Sequence, residues 1–162
     1  MKKSAQVQSE RTVADLLLLH LLQGFNWYDE GLQNYLRACG WPAVTRPQSM
    51  VMANIVMGIV YPSEIARRLG ISRQAIHNTL KSMVQLKMIS LVSDPSNGRV
   101  KIVQLTAVGE AMRKDAQQAI KIILEALVER IGRRQVDVVA SILSQDWGPP
   151  LTFEPSQVRR KR

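Results

Sequence analysis

The chain has 162 residues, of which 46% are hydrophobic and 22% charged, a composition typical of a folded rather than a disordered protein. Its formal charge of +9 indicates a polyanionic partner. We favour nucleic acid over a membrane, because no basic amphipathic segment carries the aromatic apolar face of an interfacial helix. The apolar run at residues 16–22 is too short to span a bilayer and lacks a signal-peptide layout. The single cysteine, Cys39, fits a reducing cytoplasm.

In the first part of the chain, the sequence predicts two helices after a polar, flexible segment at residues 1–10. Helix formers dominate over Arg11–Ala38, with apolar residues at helical spacing, which predicts one long helix. Cys39–Pro42 should end it, because Gly takes the left-handed cap and Pro cannot continue a helix. A second, mostly buried helix is predicted over Pro47–Ile59, since Pro suits the first turn.

A pair of short helices is predicted next. The first begins near Pro62, Gly70 forms the turn, and Ser72 is the N-cap of the second. Apolar and polar residues then repeat at helical spacing on opposite faces. The polar stripe and the helix start carry residue types that hydrogen-bond base edges: Ser72, Arg73, Gln74, His77, Asn78 and Lys81. An ordinary solvated helix also shows polar residues outward, but residues 72–93 contain no acidic side chain at all.

A β-hairpin with a basic tip follows the two helices. Strands are predicted over Ile89–Ser93 and Arg99–Leu105, on either side of the turn signal at residues 94–98. Arg99, with Lys101 nearby, suits the narrow minor groove of DNA, where negative potential is focused. The alternative is a solvated arginine tied to the aspartate of the turn. Residues 61–106 contain seven basic and two acidic residues. Their net charge of +5 is more than half of the chain's formal net charge of +9.

Two further helices are predicted after the hairpin. Thr106 should cap a long helix reaching Ile131, and Gly132 separates it from a final helix ending near Trp147. Residues 107–147 balance six basic against six acidic side chains, which suits self-association better than phosphate binding. Their apolar strips either cover the chain's own core or pack on a second copy. These strips comprise Ile120, Ile123, Leu124, Leu127, Val128, Ile131, Val136, Val139, Ile142 and Leu143.

This arrangement resembles the MarR family of winged helix-turn-helix transcriptional regulators over roughly residues 11–147. The resemblance rests on SEIARRLGISRQAI, on the hairpin DPSNGRVKIVQLT and on the following AVGEAM. The hairpin residues that match the family pattern are Asp94, Pro95, Arg99, Leu105, Thr106 and Gly109. Asn97 stands where an aspartate is usual, so a carboxylate that would steady the wing is replaced by a neutral amide.

The resemblance implies a mainly α fold with a small β-hairpin wing and a homodimer in which the first and last two helices interlock. The regions expected are a flexible segment 1–10, a dimerisation helix 11–46, a winged helix-turn-helix domain 47–106, dimerisation helices 107–147 and a basic disordered tail 148–162. It also implies a repressor on a pseudo-palindromic operator, released by a small aromatic ligand. A homodimer places its two half-sites about one helical turn, roughly 34 Å, apart.

Candidates to line a ligand pocket lie near the first helix and its junction with the second: His20, Phe25, Trp27, Tyr28, Trp41 and Met52. Plain core packing is the alternative for these side chains. Cys39 lies at the end of the first helix, whereas redox-sensing relatives use a cysteine near its start, so no redox role is expected. His20, His77 and Cys39 have no metal-ligand spacing, and no cofactor is expected.

Two other functional classes compete with a regulator. An enzyme has little support, since the chain lacks a Gly-rich phosphate loop, a paired-carboxylate signature and a nucleophile elbow. The second is a winged-helix architectural or protein-interaction module without an effector, which would use its basic surface and the tail Arg159–Arg162 to bind DNA with little sequence preference. In either case the expected location is cytoplasmic and nucleoid-associated, with double-stranded DNA as partner and no membrane.

Overall fold

The computed structural model describes residues 12–154; the predicted N-terminal segment 1–10 and the Arg159–Arg162 tail lie outside them. Its elements are a 3₁₀ turn (Ala14–Leu16), α1 (Leu17–Ala38), α2 (Arg46–Val56), α3 (Pro62–Leu69), α4 (Arg73–Gln85), β1 (Ile89–Asp94), β2 (Asn97–Leu105), α5 (Ala107–Ile131) and α6 (Arg133–Leu143). The mainly helical fold with one antiparallel hairpin is therefore confirmed. The chain forms two compact units, which divide within α5 after Ile123. None of the described helices is both long and apolar enough to cross a membrane.

The first helix begins later than the sequence predicts, at Leu17 rather than Arg11. The backbone N–H of Thr12 donates to Asp15 Oδ2 at 2.8 Å, and the backbone N–H of Asp15 donates to Thr12 Oγ1 at 3.3 Å. These reciprocal bonds satisfy free backbone donors at the start of a 3₁₀ turn. The turn then leads into α1, whose last residue is Ala38 as predicted.

The second helix is shorter than predicted and less completely buried. It ends at Val56 rather than Ile59, because Gly58 has φ +81°, a left-handed conformation that a helix cannot include. Val51 is fully buried, whereas Val56 is 51% exposed. At the other end, Thr45 and Gln48 form a capping box.

The last helix also stops short, at Leu143 instead of Trp147. Beyond it the side chain of Asp146 accepts from the backbone N–H of Gly148 at 2.8 Å, and Gly148 has φ +71°. The local hydrogen bond offers the chain a turn in place of another helical turn. Residues 148–154 of the predicted tail carry no helix or strand.

The two short helices meet through a glycine turn, as predicted. Gly70 has φ +63° and forms the left-handed C-cap of α3. The Ser72 hydroxyl caps α4 by accepting from the backbone N–H of Ala75 at 3.1 Å. On α3 the inward residue Ile65 is fully buried. The apolar face of α4 lies in the same core, with exposed fractions of 3%, 2% and 0% for Ile76, Leu80 and Met83.

The hairpin is longer and tighter than the sequence predicts. Its strands pair from Ile89 opposite Leu105 to Ser93 opposite Lys101, and an irregularity then brings Asp94 opposite Asn97. Only two residues remain outside the strands, because the predicted five-residue turn is partly paired. At its base, the backbone N–H of Val103 donates to the carbonyl of Val60 at 2.8 Å, which attaches β2 to the segment before α3.

The start of α5 packs directly on the end of the segment that joins α4 to β1. Thr106 Oγ1 accepts from the backbone N–H of Gly109 at 3.1 Å, so the predicted cap is confirmed. The backbone N–H of Thr106 also donates to the carbonyl of Met88 at 3.1 Å. Gly109 is buried against the same carbonyl. A side chain at this position would therefore strike the backbone of residue 88.

Candidate nucleic-acid interface

The polar stripe of α4 is exposed over its whole length. Because α4 packs inward through Ile76, Leu80 and Met83, the opposite face is left to solvent. The exposed set contains every residue predicted to contact bases from the two-helix motif: Ser72, Arg73, Gln74, His77, Asn78 and Lys81. The structure therefore leaves these six side chains accessible on α4 and at its N-cap, and we call this set the α4 stripe.

The α4 stripe has uncompensated positive charge and one internal hydrogen bond. Among the described residues, Arg73 and Lys81 form no ion pair, whereas Arg67 and Arg68 on α3 both pair with Glu64, at 3.7 and 3.5 Å. Within the stripe, Gln74 Nε2 donates to Asn78 Oδ1 at 3.2 Å. This bond links two amides that are spaced one helical turn apart.

The two cationic hairpin residues, Arg99 and Lys101, are exposed on β2. Within residues 12–154 the Arg99 guanidinium forms no ion pair, so the alternative in which Asp94 holds it does not describe this structure. Instead, the backbone N–H of Arg99 donates to Asn97 Oδ1 at 3.3 Å. The amide that replaces the expected carboxylate thus contacts the Arg99 backbone and leaves the guanidinium free. Lys101 Nζ donates across the hairpin to Ser93 Oγ at 2.9 Å.

The carboxylate of Asp94 holds the turn of the hairpin together. It is 8% exposed and accepts from Ser96 twice, from the hydroxyl at 2.7 Å and the backbone N–H at 2.8 Å. Its second oxygen accepts from the Tyr61 hydroxyl at 2.8 Å. The Ser96 bonds, then the Tyr61 bond, lower the pKa of Asp94 from its ordinary value. The same contact with Asp94 raises the pKa of Tyr61.

Tyr61 is a residue that the sequence analysis missed. It lies 33 positions before its partner and directly before Pro62, which begins α3. Neither hydrophobic periodicity nor turn chemistry distinguishes a tyrosine at this position, so no local signal identifies it. Through its hydroxyl, Tyr61 joins the start of α3 to the hairpin.

A second missed contact joins α4 to α2. Gln48 is 5% exposed, and its Nε2 donates to Ser82 Oγ on α4 at 2.9 Å. Its Oε1 accepts from the backbone N–H of Thr45 at 2.8 Å. Both ends of the buried amide are therefore satisfied. The bond fixes α4 against α2.

Four of the six ligand-pocket candidates, His20, Phe25, Trp27 and Tyr28, lie on α1. His20 is exposed, and Trp27 packs edge-on against Tyr28 with ring centroids 5.9 Å apart. The Tyr28 hydroxyl donates to the carbonyl of Ile120 at 3.2 Å. Arg46 lies over the Phe25 ring, 5.2 Å from its centroid.

The remaining two candidates, Trp41 and Met52, pack against the hydrophobic core. Trp41 Nε1 donates to Asp115 Oδ2 on α5 at 2.7 Å. A groove of about 520 Å³ lies instead between the end of α2, the base of β2 and the start of α5, and none of the six candidates lines it. Their role in ligand binding stays a prediction. Within residues 12–154 no group of three or more His, Cys, Asp or Glu side chains is placed to hold a metal ion.

The comparisons with known proteins agree with this geometry. Residues 44–100 match a family model described as MarR family. The solved structure of a mutant MarR from E. coli complexed with operator DNA is similar, with 20% identity, 81% of this chain and 91% of that chain covered, and a TM-score of 0.61. CouR from Rhodococcus jostii RHA1, bound to p-coumaroyl-CoA, is similar at 17% identity, with coverage of 83% and 93% and a TM-score of 0.64.

The YusO protein from Bacillus subtilis is also similar, at 20% identity over 83% of this chain and 96% of that chain, with a TM-score of 0.55. No curated protein is significantly similar in sequence. At these identities the solved structures establish the fold, and the match to the family model is confined to residues 44–100. That segment runs from the residues before α2 to the middle of β2.

Proposed function

We propose that the chain is a MarR-family regulator and acts as a sequence-specific DNA-binding repressor. The similarity of residues 44–100 to the MarR family model supports this proposal. The chain acts as a homodimer on a pseudo-palindromic operator and is released by a small ligand. The α4 stripe enters the major groove, and Arg99 enters the adjacent minor groove. The bound dimer obstructs transcription from the promoter that contains the operator.

One observation carries the proposal, namely the exposure of an acid-free recognition surface beside a free hairpin arginine. All six residues of the α4 stripe are exposed, and residues 72–93 contain no carboxylate. A polyanion is therefore repelled by no side chain of this segment, and Arg, Asn, Gln and His supply donors and acceptors for base edges. A merely solvated helix needs no such exclusion of acidic residues.

The homodimer is supported by apolar side chains that stay exposed on the terminal helices. On α1, Leu18 is 76% exposed, and other leucines of its first turns are also accessible. On α6, Val139 and Ile142 are each about half exposed, at 50% and 52%. Large apolar side chains that remain this exposed are typical of association surfaces on soluble proteins. We expect light scattering to report a dimer, and a monomer at micromolar concentration would contradict this part of the proposal.

The ligand part of the proposal draws on CouR, the similar solved structure that is bound to p-coumaroyl-CoA. A ligand acts as an inducer only when it binds the non-DNA-binding arrangement more tightly. Candidate ligands are therefore tested by their effect on operator affinity, and binding to the free protein alone is insufficient.

Operator selection followed by titration tests the function. Fragments of the protein's own genome are selected by the purified chain, and affinity for the selected site is compared with that for unrelated duplexes over a range of salt concentrations. We expect a marked preference for one palindromic site. Equal affinity for all duplexes, with a steep salt slope, would instead indicate the architectural module.

Variants of the α4 stripe show which side chains read the bases. We expect Asn78→Ala to reduce discrimination by about 5- to 150-fold, the range of one good base contact of about 1–3 kcal/mol. The matched control is Gln118→Ala, which truncates an exposed amide on α5. If Asn78→Ala keeps full discrimination, the α4 stripe does not read bases through that residue.

A further inference from the structure

The hairpin is attached to the two-helix motif through two consecutive residues. The carbonyl of Val60 accepts from the backbone N–H of Val103 in β2 at 2.8 Å. The hydroxyl of Tyr61 donates to Asp94 Oδ2 at the end of β1, also at 2.8 Å. Each strand of the hairpin is therefore held by one residue of the segment that leads into α3.

The two attachments lie at different positions along the strands of the hairpin. Val103 is paired with Leu91, and Asp94 is three residues beyond Leu91 toward the tip. At about 3.3 Å per residue, the attachment points are separated by about 10 Å along the strands. One attachment alone permits the hairpin to swing about it, whereas two separated attachments resist rotation. The Tyr61 bond is the one nearer to Arg99.

The attachment nearer the tip, made by Tyr61, ends on the carboxylate of Asp94, which also holds the turn of the hairpin together. Asp94 is 8% exposed and also accepts from the backbone and hydroxyl of Ser96. A hydrogen bond to a charged, sheltered carboxylate is stronger than one between neutral groups. The lowered pKa of Asp94 agrees with a carboxylate that stays ionised in this position.

We infer that Tyr61 is a positioning residue for DNA recognition: its hydroxyl locks the wing to the helix-turn-helix so that Arg99 meets the minor groove in register with the α4 stripe. The inference rests on the proposed DNA-binding function and adds a residue outside both contact surfaces. Tyr61 reaches the DNA only through the orientation of the hairpin. Its loss should therefore weaken the contribution of Arg99 specifically.

A double-mutant cycle tests this role. Tyr61→Phe keeps the ring and removes the hydroxyl, and Arg99→Ala is made in the parent and in the Tyr61→Phe protein. We expect Tyr61→Phe to weaken operator binding by about 2- to 10-fold, the range of one net hydrogen bond. In that background Arg99→Ala should cost about 2- to 10-fold less than in the parent, as for other coupled neighbours. If the two effects simply multiply, the inference is overturned.

Two further measurements separate positioning from general stability. Tyr35→Phe is the matched control, because it also removes a tyrosine hydroxyl but lies on α1, outside the hairpin and the α4 stripe. We expect it to leave the cost of Arg99→Ala unchanged, and an equal loss of coupling in this control would contradict the inference. In the free protein, Tyr61→Phe should raise the pKa of Asp94 measured by NMR and speed amide exchange at Ser96. If neither changes, the attachment is absent in solution.

The same titrations distinguish this inference from the proposed function. The cycle is measured on the selected operator and on an unrelated duplex. Equal affinity of the parent for both would refute sequence-specific regulation, yet coupling of Tyr61 to Arg99 on either duplex would still support the positioning role. A clear operator preference without coupling would leave the regulator intact and refute the role of Tyr61. Absence of any DNA binding would overturn both.

Discussion

Gly109 offers a sharp test of how α5 is joined to the winged helix. A Cβ built on this residue lies 2.0 Å from the carbonyl oxygen of Met88 and 3.3 Å from Cδ2 of Leu105. The Met88 carbonyl is not free to move, because it accepts from the backbone N–H of Thr106 at 3.1 Å. We therefore expect Gly109→Ala to destabilise the protein.

The size of the effect follows from these contacts. Carbon and oxygen atoms at a comfortable separation of about 3.5 Å require the Met88 carbonyl and α5 to part by about 1.5 Å. Overpacking of this kind costs about 1–3 kcal/mol, and the loss of the hydrogen bond from Thr106 adds about 0.5–1.5 kcal/mol. The usual gain of Ala over Gly inside a helix, about 0.5–1 kcal/mol, offsets part of this. We expect a net loss of about 1–3 kcal/mol.

Gly24→Ala is the matched control, because the same methyl group is added where no neighbouring atom lies within 4 Å. Gly24 is exposed in the interior of α1, so alanine should stabilise the protein by about 0.5–1 kcal/mol. Urea unfolding measures both variants at one protein concentration, since the stability of a dimer depends on concentration. The two substitutions should therefore have opposite signs.

The result that refutes this reasoning is a Gly109→Ala protein as stable as the parent. It would mean that the close approach of α5 to residue 88 is absent in solution. A loss of stability in both variants would point to a general intolerance of alanine and equally remove the argument from the contact with Met88.

Two other predictions concern the backbone and the pH dependence. Lys87 has φ +57°, a left-handed conformation that costs a non-glycine residue free energy. We therefore expect Lys87→Gly to raise the free energy of unfolding, measured in urea, by about 0.5–1 kcal/mol. Lys87→Ala should bring no gain. The folded-state pKa of Asp94 is lowered, so its contribution to stability is present above the ordinary carboxyl pKa of about 3.9 and is lost as pH falls through the folded value. Unfolding curves of Asp94→Asn should lack this acid-dependent loss; an unchanged pH profile would show that Asp94 does not contribute to it.

Local chemistry predicted most of the fold and most of the proposed interface. The hydroxyls of Ser72 and Thr106 cap their helices as expected, and Gly70 adopts the left-handed turn. Such features need only a few neighbouring residues and can be read directly from spacing. The α4 stripe is exposed for the same reason, because the apolar face of a helix selects its opposite face.

Helix ends were predicted less accurately. The first helix starts at Leu17 and the last ends at Leu143, because short-range bonds of Asp15 and Asp146 compete with helix formation. Aspartate bonds of this kind depend on which backbone N–H is within reach. Residue type alone does not decide that competition.

The sequence by itself determined the order of the helices, the turn between the two short ones and the cationic character of residues 61–106, since each arises from neighbours in the chain. Only the tertiary structure decided what holds those parts in place. Tyr61 meets Asp94 across 33 positions, Gln48 meets Ser82 across 34, and Trp41 meets Asp115 across 74. Such contacts form only after the core has brought distant segments together, because a hydrogen bond requires its two atoms to lie within about 3 Å.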